Sequence, residues 1–200
     1  MTPFIVLGVA AWAWACLAIG VLVHEIGHAR AASQYSSGVW LQWGRGRRLH
    51  LLEGRGTRLF KWAAGISNAD LWLGEIWREG SCIGHTGLED RNLHLRLYRA
   101  GYRANLFAGA ILLAIALILA SELWPAWLLA GALLIASFVN FVLAFINAVI
   151  KKDWSDRPPY GSDAWNIAQL KHDRSFTPHT PMNASELRIA KGIPLAAEER

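Results

Sequence analysis

The chain has 200 residues, of which 54% are hydrophobic and 18% charged, with a formal net charge of +5. That length allows one domain with a sizeable core. A mean hydropathy of +0.24, concentrated in three charge-free apolar runs, argues against an ordinary water-soluble protein, and two cysteines without paired spacing argue against a disulfide framework.

The first apolar run covers residues 3–23. It matches the roughly 20 residues that a helix needs to cross about 30 Å of hydrocarbon. A cleaved signal peptide would carry a basic segment ahead of its apolar stretch, and no Lys or Arg precedes Arg30. The run is therefore expected to remain as a spanning helix over about residues 3–28.

From Arg30 to Arg103 the sequence is polar and carries twelve basic residues, whereas the link around Ser121–Trp127 carries none. The bias of Lys and Arg toward the cytoplasmic side puts this connection and the C-terminus in the cytoplasm, with the N-terminus outside. Arg45, Arg47, Arg48, Arg55 and Arg58 would also suit a nucleic-acid patch. Membrane topology already accounts for the charge, so an anionic lipid surface is the nearer partner and no nucleic acid is expected. Eight of the eleven tryptophans (Trp40, Trp43, Trp62, Trp72, Trp77, Trp124, Trp127 and Trp154) fall outside the spans or near their ends, where amphipathic rings favour the interface.

Within the connection, residues 39–43 and 49–53 have strand composition around Gly44-Arg45-Gly46-Arg47. They predict a β-hairpin, extended by residues 57–62, lying against the membrane or the helical core. Residues 63–100 are mixed, with short helical pieces expected around 69–79 and 90–99. Second and third spans follow at about 104–121 and 126–150. Pro158-Pro159 ends the extension of the third, a short helix is expected over 160–170, and residues 171–200 form a cytoplasmic tail. The fold class is thus a mainly α membrane protein, with a three-helix transmembrane core in residues 1–170 and a short cytoplasmic or membrane-associated hairpin.

The first span ends in His24-Glu25-Ile26-Gly27-His28. Residues four apart share one helical face, so His24 and His28 can grip one ion, and zinc accepts neutral imidazoles readily. Glu25 is rotated about 100° from His24 on a helix. From there its carboxylate serves as the general base toward water at the ion rather than as another ligand. Three ionisable groups at the end of a span need a cavity, a partner or a metal. A zinc shell of this type needs a third protein ligand, and spacing alone nominates His50, His85, His94, Asp153, Asp156, Asp163 and His172. Asp163 follows the third span and returns the chain to the end where the histidines lie, although helix capping is the commoner role for an Asp there and Ser162 could cap as well.

The sequence resembles the site-2 protease (M50) family of intramembrane zinc metallopeptidases. His24-Glu25-Ile26-Gly27-His28-Ala29 matches its helix-borne HExxH signature, and Ala100-Gly101-Tyr102-Arg103-Ala104-Asn105 looks like its AGPxAN segment. Phe145-Ile146-Asn147, followed after an insertion by Ser162-Asp163-Ala164, resembles its distal FNLxP and SDG or LDG patterns. The resemblance implies that Asp163 is the third Zn2+ ligand. It also implies that Asn147 binds the backbone of an unwound substrate, with Asn140 seven residues earlier on the same face. Read without it, Asn140 and Asn147 are explained by helix packing or an interhelical hydrogen bond. Tyr102 replaces the family's proline, Ala148 and Val149 do not keep its Leu-x-Pro, and Ala164 replaces its glycine.

The expected function is hydrolysis of a peptide bond in a membrane protein near the cytoplasmic face. The alternative is a proteolytically weak or inactive membrane metal-binding or regulatory protein on the same scaffold. The partners implied are a membrane-protein or transmembrane-peptide substrate and the bilayer; the sequence leaves an adaptor protein and the oligomeric state open.

Overall fold

Helix α1 runs unbroken over Thr2–Ser33, because nothing in that stretch interrupts an apolar helix before the polar residues at its end. A computed structural model describes residues 2–34, 39–43, 45–52, 69–75, 82–85, 90–121, 126–152 and 162–172. After α1 come four strands, β1 (Val39–Trp43), β2 (Arg45–Leu52), β3 (Ala69–Glu75) and β4 (Cys82–His85). Helices α2 (Arg91–Ala120), α3 (Ala126–Val149) and the short α4 (Asp163–His172) complete the order.

Three of these helices, α1, α2 and α3, are long and apolar enough to cross a membrane. Their burial pattern agrees. Large apolar side chains such as Phe4 (79% exposed), Phe107 (70%) and Phe138 (68%) face outward. Small or polar residues, among them Ala116, Ala130, Ser137, Asn105 and Asn140, are inside. A protein folded by expelling oil from water would show the reverse; one whose solvent is lipid packs small residues at its seams and ties them with polar side chains. At Gly27 a Cβ atom would stand 2.5 Å from the Ala100 carbonyl oxygen, so the missing side chain lets α1 and α2 touch backbones. Gly109 admits the Phe141 ring, and its carbonyl accepts the Ser137 hydroxyl at 2.8 Å, joining α2 to α3. The chain is a multi-pass membrane protein of mainly α structure.

Helix α2 begins well before its apolar run. Asp90 caps it by accepting from the Asn92 amide at 2.7 Å, and no breaker follows, so the piece expected at 90–99 is the first third of one long helix. Tyr102, unlike a proline, keeps its backbone N–H, which suits the unbroken run from Arg91 to Ala120.

The strands form one sheet in the order β2-β3-β1-β4. β1 is parallel to β3 and antiparallel to β4, and β2 is antiparallel to β3. The anticipated strands at 39–43 and 49–53 are thus not paired with each other; β3 lies between them, and β2 starts at Arg45, inside the expected turn. The helical piece expected around 69–79 is likewise strand β3. A segment that short gains little as an isolated helix, whereas between β1 and β2 its backbone groups find partners on both sides. Val39 and Leu41 of β1 are fully buried, and a strand in such surroundings needs neighbours on both edges. β2, which carries Arg45, Arg47 and Arg48, takes an outer position, as charged strands do.

The sheet lies against α1. Val39 packs with Ala29, Ala32 and Leu97, and the Trp43 indole N–H donates to the Ala18 carbonyl oxygen at 3.0 Å. Six residues separate Ala18 from His24, so β1 reaches roughly 9 Å past the first histidine along the helix axis. The expected extension at 57–62 lies outside the described residues.

Candidate metal centre

The last third of α1 brings His24 and His28 to one face, where their rings meet edge to face with centroids 4.6 Å apart. Their Nε2 atoms are 3.0 Å apart. The Oδ2 atom of Asp163 is 3.1 Å from the first and 3.3 Å from the second. Among the described residues these three form the group with metal-ligand chemistry, and all are about nine-tenths buried or more. Donors held roughly 2.0 Å from a tetrahedral zinc ion stand about 3.3 Å from one another, and the three observed separations approach that spacing.

Two of the donors, His28 and Asp163, are fixed by something outside the group. His28 donates its Nδ1 proton to the Leu97 carbonyl oxygen at 2.7 Å. This settles the tautomer and leaves the Nε2 lone pair for the cluster. Gly101 of α2 makes room for both rings: a Cβ there would fall on His28 Nε2 and come within 2.6 Å of His24 Cε1.

Asp163 is the first residue of α4, and it is not the cap. Ser162 caps the helix, its Oγ accepting from the Trp165 amide at 3.4 Å. The same Oγ donates to the Ile150 carbonyl at 2.6 Å and accepts from the Lys152 amide at 3.0 Å. One hydroxyl therefore ties the end of α3 to the start of α4 and sets the angle at which Asp163 enters. At the far end of α4, Arg91 donates from Nε to the Leu170 carbonyl at 2.8 Å, placing a cation where the terminal carbonyls concentrate negative charge. Burial opposes ionisation of Asp163, but the adjoining His28 and His24 outweigh it and bring its pKa down to about 2.

The N,N,O set suits a divalent ion such as zinc, and three protein donors leave a tetrahedral ion one open position. Buried imidazoles and a carboxylate this close together gain a natural partner in a cation.

The remaining sequence candidates fall elsewhere. His94 is buried in α2, stacked on Tyr98 with centroids 6.3 Å apart, and is not in the group. His172 is exposed at the end of α4. The side chains of His50, His85, Asp153 and Asp156 lie outside the described residues. Glu25 is half-buried beside His24. Asn140 is buried and donates to the Ala136 carbonyl of its own helix at 2.9 Å, while its Oδ1 accepts from Asn105 at 3.4 Å. Asn147 is half-buried and donates to the Leu143 carbonyl at 2.9 Å. Sequence reasoning missed the Leu97 carbonyl, which carries no side-chain signal, and the space-making role of Gly101, which sat in plain view inside Ala100–Asn105.

No family model, no curated protein and no solved structure matches this chain.

Proposed function

We propose that His24, His28 and Asp163 hold one divalent ion, zinc by donor chemistry, inside a membrane domain, and that Glu25 turns this site to peptide-bond hydrolysis. The observation that carries the proposal is the convergence of three buried donors, 3.0 to 3.3 Å apart, from two segments separated by more than a hundred residues. Bound there, the ion would supply Lewis acidity, polarising a peptide carbonyl and making water easier to deprotonate. Glu25, next to His24 on the helix, takes the proton from the attacking water and delivers it to the leaving amine. Leu97 keeps the His28 imidazole in place while this happens, Gly101 leaves both rings room, and Ser162 keeps the carboxylate in place.

The resemblance to the site-2 protease (M50) family supports the same assignment, with a membrane-protein substrate cut near the cytoplasmic face. A substrate helix must unwind locally before its carbonyl can be attacked. The sheet beside α1, by strand addition, and the amides of Asn140 and Asn147 would receive its freed backbone. The excess of basic residues between Arg30 and Arg103 supports an orientation with the N-terminus outside.

A second reading is a metal-binding or regulatory membrane protein with little turnover, for which the donor group alone suffices. Glu25→Gln separates the two. The peptidase reading expects this variant to retain its metal and to leave uncut membrane-protein fragments that wild-type membranes process. Identical fragment patterns in wild-type and E25Q membranes, with metal bound in both, would establish the second reading.

A further inference from the structure

Two buried polar atoms beside the metal centre have no hydrogen-bond partner among the described residues, His24 Nδ1 and Asn105 Oδ1. One is a donor whenever Nε2 faces an ion; the other can only accept. The orientation of the Asn105 amide is set by its Nδ2, which donates to the Gly20 carbonyl at 3.1 Å and to Asn140 Oδ1 at 3.4 Å. Asn105 is fully buried and His24 is 8% exposed, so bulk water satisfies neither atom.

Their positions match. α1 and α2 are antiparallel neighbours, with His28 against Leu97, both rings over Gly101, and Gly20 against Asn105. His24 lies one turn after Gly20, and Asn105 lies one turn after Gly101. Helical side chains lean toward the N-terminus of their own helix. In an antiparallel pair, the His24 ring and the Asn105 amide therefore lean toward each other's level. His28 already has an outer partner in the Leu97 carbonyl; His24 has none shown.

We infer that Asn105 is the positioning residue for His24, its Oδ1 accepting the Nδ1 proton through one bridging water. A ligating histidine ordinarily gives its other ring proton to such a group, which fixes the ring and raises its basicity. Asn105 would thus join the scaffold to the site: its Nδ2 holds α1 and α3 together, and its Oδ1 orients a ligand. The inference rests on the metal reading above.

The test is zinc affinity, measured by chelator competition on the full chain in detergent, for wild type, Asn105→Leu and Asn105→Asp. Asp keeps an acceptor but loses the amide donor; Leu loses both. N105L is expected to bind zinc roughly 10- to 100-fold more weakly, and N105D to stay close to wild type although both variants unfold at lower temperature. In zinc-loaded, histidine-labelled wild type, the His24 Nδ1 proton should exchange slowly with solvent. Equal weakening in N105D and N105L, unchanged affinity in N105L, or rapid exchange of that proton would overturn the inference. A wild type that binds no zinc would remove it together with the metal reading, whereas zinc held as tightly by N105L would remove it alone.

Discussion

Replacing Gly101 with alanine adds one methyl group to α2, and the structure says where it goes. The new Cβ would meet His24 Cε1 at 2.6 Å and His24 Nε2 at 2.7 Å, against the 3.4 Å at which ordinary contact begins. A shortfall of at least about 0.8 Å must be made up by rotating the imidazoles or separating α1 from α2, while donor distances in a zinc site tolerate about 0.2 Å. A displacement of that size should weaken zinc binding about 100-fold, which is about 2.8 kcal/mol. The fold should not suffer in proportion, because alanine is favoured over glycine within a helix by about 1 kcal/mol. Gly131→Ala is the matched control, since a Cβ there meets nothing within 4 Å. Chelator competition for zinc and thermal unfolding, both on detergent-purified protein, read the two effects separately. G101A with wild-type zinc affinity would mean that the imidazoles do not crowd this position, and the geometry of the centre would be wrong.

Other consequences follow from the same packing. Ser162→Ala removes a helix cap, worth about 1 kcal/mol, together with the hydroxyl's ties to Ile150 and Lys152; both melting temperature and zinc affinity should fall, and an unchanged affinity would show that Asp163 is held by something else. Phe138→Arg places a charge on an outward face of α3, where insertion should cost roughly 3 kcal/mol; its membrane-integrated fraction should drop, and a variant that becomes soluble and folded would contradict the spanning assignment. Glu25→Gln should keep its metal and lose cleavage, as set out above.

What the sequence showed best was whatever a short local pattern can encode. The spacing of His24 and His28 follows from helical periodicity, and charge-free apolar runs reveal membrane-length helices. Asp163 could be nominated but not chosen from spacing, because its approach to the histidines depends on the Ser162 hydroxyl joining α3 to α4, a contact made only once the chain has folded back. The hairpin expectation failed for a related reason. Residues 39–43 and 45–52 read as strands, but their order is decided by β3, which arrives more than fifteen residues later and pairs with both. Residues 69–75 looked helical because an amphipathic run that short fits either period, and neighbours decided it. Gly101 was visible as part of a motif, yet only the opposing histidines explain why a side chain is excluded there.

The most direct test of the metal centre is the metal content of purified wild type beside His24→Ala, His28→Ala and Asp163→Ala, measured by elemental analysis after exposure to zinc and removal of loosely bound ions. The proposed function predicts one tightly bound zinc per wild-type chain and its loss from all three variants, including D163A, whose substitution lies far from the HExxH segment in sequence. A wild type without metal, or a D163A protein that keeps its zinc with wild-type affinity, would contradict the centre described here.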